Sequence, residues 1–473
     1  MTKTSFCILS CLIAAGILGG VAHGAASTKP NIVLILADDM GYGDAGFNGC
    51  KDIPTPHIDA IARNGVRFTA GYVTAPQCAP SRCGLLSGRD QNRFGCGENY
   101  HLDRHGITRG IKLFGDYLRA EGYRTGIVGK WHLGSMAECH PLERGFDWFY
   151  GFLGGSSFYL PQDDQASIPN IYEGRNRVQV RDHLTDVFGA QAARFIDENK
   201  MQPFFLYLSF NAPHVPLQAP AEYLVRFKHL AVEGEPGVMC GYTKRRIEHP
   251  RQVYAAMVSA MDDAIGRVLE RLRQHGIEDN TMVVFLSDNG GPTSASTASN
   301  GPLRGFKGEV LEGGIRVPFA LQWKAGIPAG QTIGFPVSSL DLLPTALTAA
   351  GVRVSADAGF DGLNLLPILT GRAKPEPRTL TWLFPFPAPR PEMYAWAVRQ
   401  GDWKLVKEIV PTPELRNVHG ATHTGLYQLD EDIAEKADLS IRHPERRREL
   451  QAISDVWRAS IPAPSTEARP ARK

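Results

Sequence analysis

The stretch NIVLILADDMGYGD (Asn31–Asp44) runs from an uninterrupted apolar segment straight into two adjacent carboxylates. Asn31–Ala37 is too short for a buried helix. It matches a strand covered on both faces, the kind found in parallel sheets. Working outward, the same pattern recurs. Leu113–Glu121 reads as a helix feeding a strand at Thr125–Lys130. Thr185–Asn199 reads as a helix feeding Pro203–Phe210, PFFLYLSF. Tyr254, Met257, Val258, Met261, Ile265, Val268, Leu269 and Leu272 recur at helical spacing and lead to Thr281–Ser287, TMVVFLS. Asp59–Gly65 opens a short helix, Val66–Val73 reads as extended, and Asp341–Ala350 is a further helix. Strands alternating with helices predict an α/β domain with a largely parallel sheet.

Past Gly371–Pro377 (GRAKPEP) the composition changes. Short strands are expected at Leu380–Phe384, Tyr394–Arg399, Trp403–Val410 and Gly425–Leu429, and a helix at His443–Trp457. They predict a small antiparallel sheet with one helix. The expected division is a leader at 1–26, a catalytic domain at 27–372, a C-terminal subdomain at 373–460 and a disordered Pro/Ala/Arg-rich tail at 461–473. The leader has Lys3, the apolar run Phe6–Val21 and the small residues Ala22–Ala26, the pattern of a cleaved export signal. It is short for a membrane span, so no stable anchor is expected. The chain has no Asn-x-Ser/Thr sequon, which favours a bacterial source. Export then means the periplasm or secretion.

The 473 residues carry a net charge of +2, which gives no case for a nucleic-acid partner. Outside the leader the cysteines are Cys50, Cys78, Cys83, Cys96, Cys139 and Cys240, with neither CxxC pairs nor zinc-finger spacing.

Position organises the chemistry. Asp38-Asp39 follow the first strand, and Lys130-Trp131-His132 close another. Asn211-Ala212-Pro213-His214 follow a third, and Asp288-Asn289 a fourth. Ligands of open α/β sheets bind beyond the carboxyl ends of strands, so these groups should converge. Asp38, Asp39, Asp288 and the amide oxygen of Asn289 are hard oxygen donors, which suit Ca²⁺ or Mg²⁺ and not zinc. The bland alternative is that each aspartate merely caps the next turn.

Cys78-Ala79-Pro80-Ser81-Arg82 lies in the run APQCAPSRCGLLSG (Ala75–Gly88). Taken alone it is a cysteine ahead of a helix that Pro80 starts. The run resembles the C-x-P-S-R signature of the type I sulfatases, in the alkaline phosphatase superfamily. The likeness extends to ADDMGYGD (Ala37–Asp44), GKWHLG (Gly129–Gly134), ERGFDWFYGF (Glu143–Phe152), NAPHVP (Asn211–Pro216), SDNGG (Ser287–Gly291) and GFKGEVLEGGIRVP (Gly305–Pro318). Cys83 departs from the small apolar residue usual in the family. The resemblance implies an alkaline phosphatase-like fold: a large mixed, mostly parallel sheet flanked by helices, plus the small C-terminal antiparallel sheet.

It also implies that a maturation enzyme converts Cys78 to formylglycine. One hydroxyl of the aldehyde hydrate attacks sulfur, and the second expels sulfate as the aldehyde reforms. A serine has no equivalent of that second step. Asp38, Asp39, residue 78, Asp288 and Asn289 are the implied metal ligands, for Ca²⁺ or alternatively Mg²⁺. His132 fits the base of the elimination, His214 or Lys307 the partner of the leaving oxygen, and Lys130, Lys307 and Arg82 the cations around sulfate. Arg316 reads as a structural ion-pair residue.

Alternatives remain at this point. Cys83 and Arg89 match the C-x5-R spacing of cysteine phosphatases, but Leu85-Leu86 predict a helix there. A phosphodiesterase or phosphonate monoester hydrolase of the same superfamily is the nearest rival, and an inactive glycan-binding relative is another. The expected substrate is an aryl sulfate or a sulfated carbohydrate, the carbohydrate galactose- or N-acetylgalactosamine-based. Gly151–Pro161, Glu98–Arg104 and Glu233–Arg251 are the expected pocket walls, with Phe158 and Tyr159 as stacking candidates.

Overall fold

The computed structural model describes residues 29–162, 165–233, 237–239, 246–354, 358–385, 394–410 and 421–462. The leader, Cys240, most of the C-terminal tail and part of the Glu233–Arg251 segment lie outside them.

Asn31–Ala37 forms the strand its apolar run predicts, and every residue in it is buried. It lies near the middle of a ten-stranded sheet. Thr281–Ser287 runs parallel on one side of it and Phe204–Ser209 on the other. Arg124–Lys130 and then Trp148–Phe152 continue the parallel order. Phe319–Gln322 adds antiparallel to Thr281–Ser287, so the sheet is mixed but mostly parallel. Side chains alternate across the strand. Val33 and Ile35 enter a core shared with the helices Leu184–Asn199 and Pro250–Gln274. Ile32, Leu34 and Leu36 enter the opposite core, against Cys78–Ser87 and Leu342–Ala349. Covering both faces explains why these strands lack polar alternation.

The second sheet is antiparallel: Thr379–Phe384, Ala395–Gln400, Trp403–Val410 and Ala421–Gln428. Helix Pro444–Ser460 puts Leu450 against Leu383, Val398, Leu405 and Leu426. The other face of this sheet packs Trp382, Ala397 and Val406 against Tyr72, Val310 and Ile315 of the large-sheet region. Gly371–Pro377, which joins the two regions, is exposed throughout. No helix among the described residues is long and apolar enough to cross a membrane.

A buried ionic cluster ties the sheets together. Lys404 Nζ lies 2.9 Å from both Glu312 and Glu435. Arg316 pairs with Glu312 at 3.1 Å, the structural role expected of it. Removing one partner of such a cluster strands a charge away from water. Lys404→Ala should therefore cost about 3–5 kcal/mol of stability, read as a lower urea midpoint. The exposed Arg448→Ala should shift it by less than about 0.5 kcal/mol.

Candidate active site

The four strands bearing the polar tips are immediate neighbours, in the order Thr281–Ser287, Asn31–Ala37, Phe204–Ser209, Arg124–Lys130. Their ends are level: Ala37 pairs with Ser287, and Ser209 with both Leu36 and Gly129. At about 4.8 Å per strand, residues just beyond these ends fall within side-chain reach of one another.

The helix Cys78–Ser87 delivers two further groups. Cys78 and Arg82 are one turn apart and therefore share a face. Arg82 is fully buried. Its Nε donates to Asp288 Oδ2 at 2.9 Å, its Nη2 forms an ion pair with the same oxygen at 2.8 Å, and its Nη1 donates to the Lys130 carbonyl at 3.2 Å. Lys130 Nζ lies 2.6 Å from Asp38 Oδ2. Lys307 is set between Gly305 and Gly308, which hold φ of 93° and 94°. Those left-handed turns bring its Nζ to 2.7 Å from Asp39 Oδ1. Asn289 Nδ2 donates to the same oxygen at 2.7 Å, and Asp288 Oδ1 accepts from the Asp39 amide at 3.1 Å.

Asp39 and His132 are non-glycine residues at φ of 68° and 59°. Such conformations cost on the order of 1 kcal/mol each and persist where the surroundings enforce them. Here both occur at strand tips whose side chains turn into the site.

One ligand atom each from Asp38, Asp39, Cys78 and His214 lies within 4.8 Å of the others, all four residues buried. Asp288 stands just outside this group, with both oxygens engaged by Arg82 and the Asp39 amide. Three carboxylates thus face three cations, Arg82, Lys130 and Lys307. Even so, Asp38 Oδ1 and Asn289 Oδ1 are buried without a hydrogen-bond partner. Uncompensated buried oxygens are costly, and a hard cation is a group that would take them up. Burial pushes the Asp38 carboxyl up, and Lys130 only partly opposes it. Burial opposes ionisation of Asp39 too, but the Lys307 charge, with hydrogen bonds from Lys307 and Asn289, outweighs it and holds that carboxyl down. The donor set therefore fits a divalent cation, and adding one leaves the site net positive, matched to an anion.

Burial also pushes the Cys78 thiol up, so as a thiol it is protonated and unreactive at neutral pH. Burial and the Lys130 charge push His132 down to about 4. His214 lies well below its ordinary value through burial and Lys307. Both imidazoles are neutral at pH 7.

The chain matches the family model described as Sulfatase over residues 30–352. The chain belongs to the sulfatase family. It is 34% identical to the N-acetylgalactosamine-6-sulfatase of Mus musculus, covering 76% of this chain and 69% of that one. To the uncharacterized sulfatase YdeN of Escherichia coli (strain K12) it is 28% identical, covering 93% and 87%. The crystal structure of Ps i-CgsB in complex with k-i-k-neocarrahexaose superposes with a TM-score of 0.81 at 34% identity, covering 93% and 95%. Sulfatases are sulfuric ester hydrolases, so this chain is an enzyme of that class.

Several residues of the sulfatase's site were not legible as such. Asp103 Oδ1 lies 3.1 Å from His132 Nε2. It sits in the Glu98–Arg104 segment that was expected to wall the pocket, but nothing marks it as the histidine's partner. Asn99, from the same segment, accepts from the Ala79 amide and places Nδ2 3.9 Å from Cys78 Sγ. Ser209 donates to the Lys130 carbonyl at 2.7 Å. Tyr159 is not available for stacking. It is fully buried, and its hydroxyl donates toward the carbonyls of Asn211 and His214, fixing the loop that carries His214. Cys83 is buried on the helix interior, within the predicted helix, where a phosphate-binding loop has no room to form.

Proposed function

We propose that this sulfatase removes sulfate from a carbohydrate through a formylglycine made from Cys78, assisted by a divalent cation, Ca²⁺ with Mg²⁺ as the alternative. The observation that carries the reading is the buried approach of Cys78 Sγ to Asp38, Asp39 and His214 within 4.8 Å. Asp38, Asp39, Asp288 and Asn289, with residue 78, would hold the cation. When bound, it supplies positive charge and lowers the pKa of an attacking oxygen. Formylglycine supplies the paired hydroxyls for attack and release.

The chain's own residues do the rest. Arg82, Lys130 and Lys307 surround the position of the sulfate oxygens with fixed charge. His132, neutral down to about pH 4 and oriented by Asp103, accepts the proton that releases sulfate. His214 or Lys307 meets the leaving oxygen. In this reading 27–372 is the catalytic unit, 373–460 its subdomain, and 1–26 an export signal placing the enzyme in the periplasm or outside the cell. The relatives' names support a galactose- or N-acetylgalactosamine-based substrate.

The test is a pair of assays on protein co-produced with a formylglycine-generating enzyme. Turnover of p-nitrophenyl sulfate should exceed that of a p-nitrophenyl phosphodiester. The reverse order moves the chain to the phosphodiesterase reading.

His132 gives a pH prediction. Burial favours its neutral form, so the base is available above about pH 4 and is lost as pH falls through that value. The acid limb of kcat should lie there, and His132→Gln should lower kcat by about 10²-fold and remove the limb. An unaltered limb in the variant assigns that titration to another group.

A further inference from the structure

Two buried cysteines outside the catalytic set face one another. Cys83 lies on the helix Cys78–Ser87, and Cys96 follows the short connection that turns the chain back along it. Gly88 and Gly95, at φ of 64° and 80°, make the bends of that connection. The Cys96 amide donates to the Gln91 carbonyl at 3.0 Å, and a Cβ on Gly84 would stand 2.9 Å from Gln91 Oε1. The returning chain is therefore pressed against the helix. Cys83 and Cys96 are fully buried in one apolar core with Leu85, Leu102 and Ile107, and their side chains hydrogen-bond to each other. Cys50 and Cys139 are engaged elsewhere: Cys50 Sγ donates to Asp52 at 3.2 Å, and Cys139 Sγ to the Ile107 carbonyl at 3.8 Å.

The pair stands at the root of a segment that needs anchoring. The helix Asn99–His105 is seven residues long and buries only Leu102. Such a helix has too little apolar contact to hold its own position. Yet it carries Asn99, which reaches toward Cys78, and Asp103, which meets His132. Thiols already in hydrogen-bond contact need only a small side-chain rotation to reach the S–S bonding distance of about 2 Å. Burial pushes the Cys83 thiol up, whereas the hydrogen bond from Cys83 holds Cys96 below its ordinary value. The Arg144 charge favours the thiolate of both. Cys96 is thus the sulfur of the pair that ionises more readily and attacks.

We infer that Cys83 and Cys96 form a disulfide that pins the Asn99–His105 segment to the helix Cys78–Ser87. The bond asks no catalytic role of either sulfur and stands apart from how the sulfate ester is cleaved. It forms by exchange with a disulfide donor before the core closes. Cys83 first takes one donor sulfur in a mixed disulfide and releases the other as a thiol. The Cys96 thiolate then attacks the Cys83 sulfur and displaces the remaining donor sulfur. Both thiol protons and the two electrons end on the donor, which leaves as the dithiol.

The test maps the full-length chain after export into an oxidising compartment, alkylated in denaturant without reduction and cut with trypsin. Cleavage after Arg82, Arg89, Arg93 and Arg104 puts the two cysteines in peptides 83–89 and 94–104. These should appear as one linked species, about 2 Da lighter than their sum, which reduction separates. Equilibration with dithiothreitol should lower the wild-type urea midpoint by about 1 M. The Cys83→Ala/Cys96→Ala double variant has no bond to lose, so its midpoint should not respond to the reductant. Full alkylation of both thiols in the unreduced chain, or a link from either to another cysteine, overturns the inference. So does a wild-type midpoint that dithiothreitol leaves in place or shifts no more than that of the double variant.

Discussion

Cys78→Ala protein should hydrolyse p-nitrophenyl sulfate at least about 10⁴-fold more slowly than matured wild type. The expectation follows from where the side chain sits and how little else it does. It is 2% exposed and lies within 4.8 Å of the Asp38, Asp39 and His214 ligand atoms. Its one described hydrogen bond, from Asn99, is long at 3.9 Å. Alanine therefore removes the proposed nucleophile with little cost to the fold, and the unfolding midpoint should stay near wild type. Cys78→Ser separates the two halves of the reaction. Its hydroxyl can attack but has no second hydroxyl to expel sulfate, so a single sulfated turnover should be trapped. Intact mass after mixing with substrate reads that adduct. Alanine activity within tenfold of wild type contradicts the assignment.

The second large effect is at Asp39. This carboxylate receives Lys307 at 2.7 Å and Asn289 at 2.7 Å, and stands 3.6 Å from His214 Nε2. Asp39→Ala removes a proposed cation ligand and also leaves Lys307 without its counter-charge. Loss of activity of about 10³-fold or more is expected, with bound Ca²⁺ falling in parallel. Asp39→Asn keeps the shape and should spare more stability than activity. Chelation should silence the wild type reversibly, with Ca²⁺ or Mg²⁺ restoring it. Full activity after exhaustive chelation, or Asp39→Ala with undiminished turnover, removes the cation from the account.

Much of this was written in the chain, for a definite reason. Strands buried on both faces leave continuous apolar runs, and Asn31–Ala37 and Thr281–Ser287 match their predicted bounds. Chain order then places Asp38-Asp39, Lys130, His132, His214 and Asp288-Asn289 at neighbouring tips. Short strands gave less signal. Phe319–Gln322 is only four residues long, and its antiparallel pairing depends on a partner far away in sequence. Asp103 was missed because its role comes from a tertiary approach by a segment without a motif. Tyr159 was read by type, whereas its hydroxyl is fixed by two backbone carbonyls that no local pattern reveals. Part of the Gly151–Pro161 segment lines a cavity of about 400 Å³, which Asn170 and Tyr172 join only through the fold.

The most direct measurement is the mass of the peptide spanning residue 78, taken from a preparation that turns over sulfate esters. Conversion of cysteine to formylglycine predicts a loss of about 18 Da, as sulfur and hydrogen give way to oxygen. A fully active preparation whose peptide retains unmodified cysteine contradicts the account.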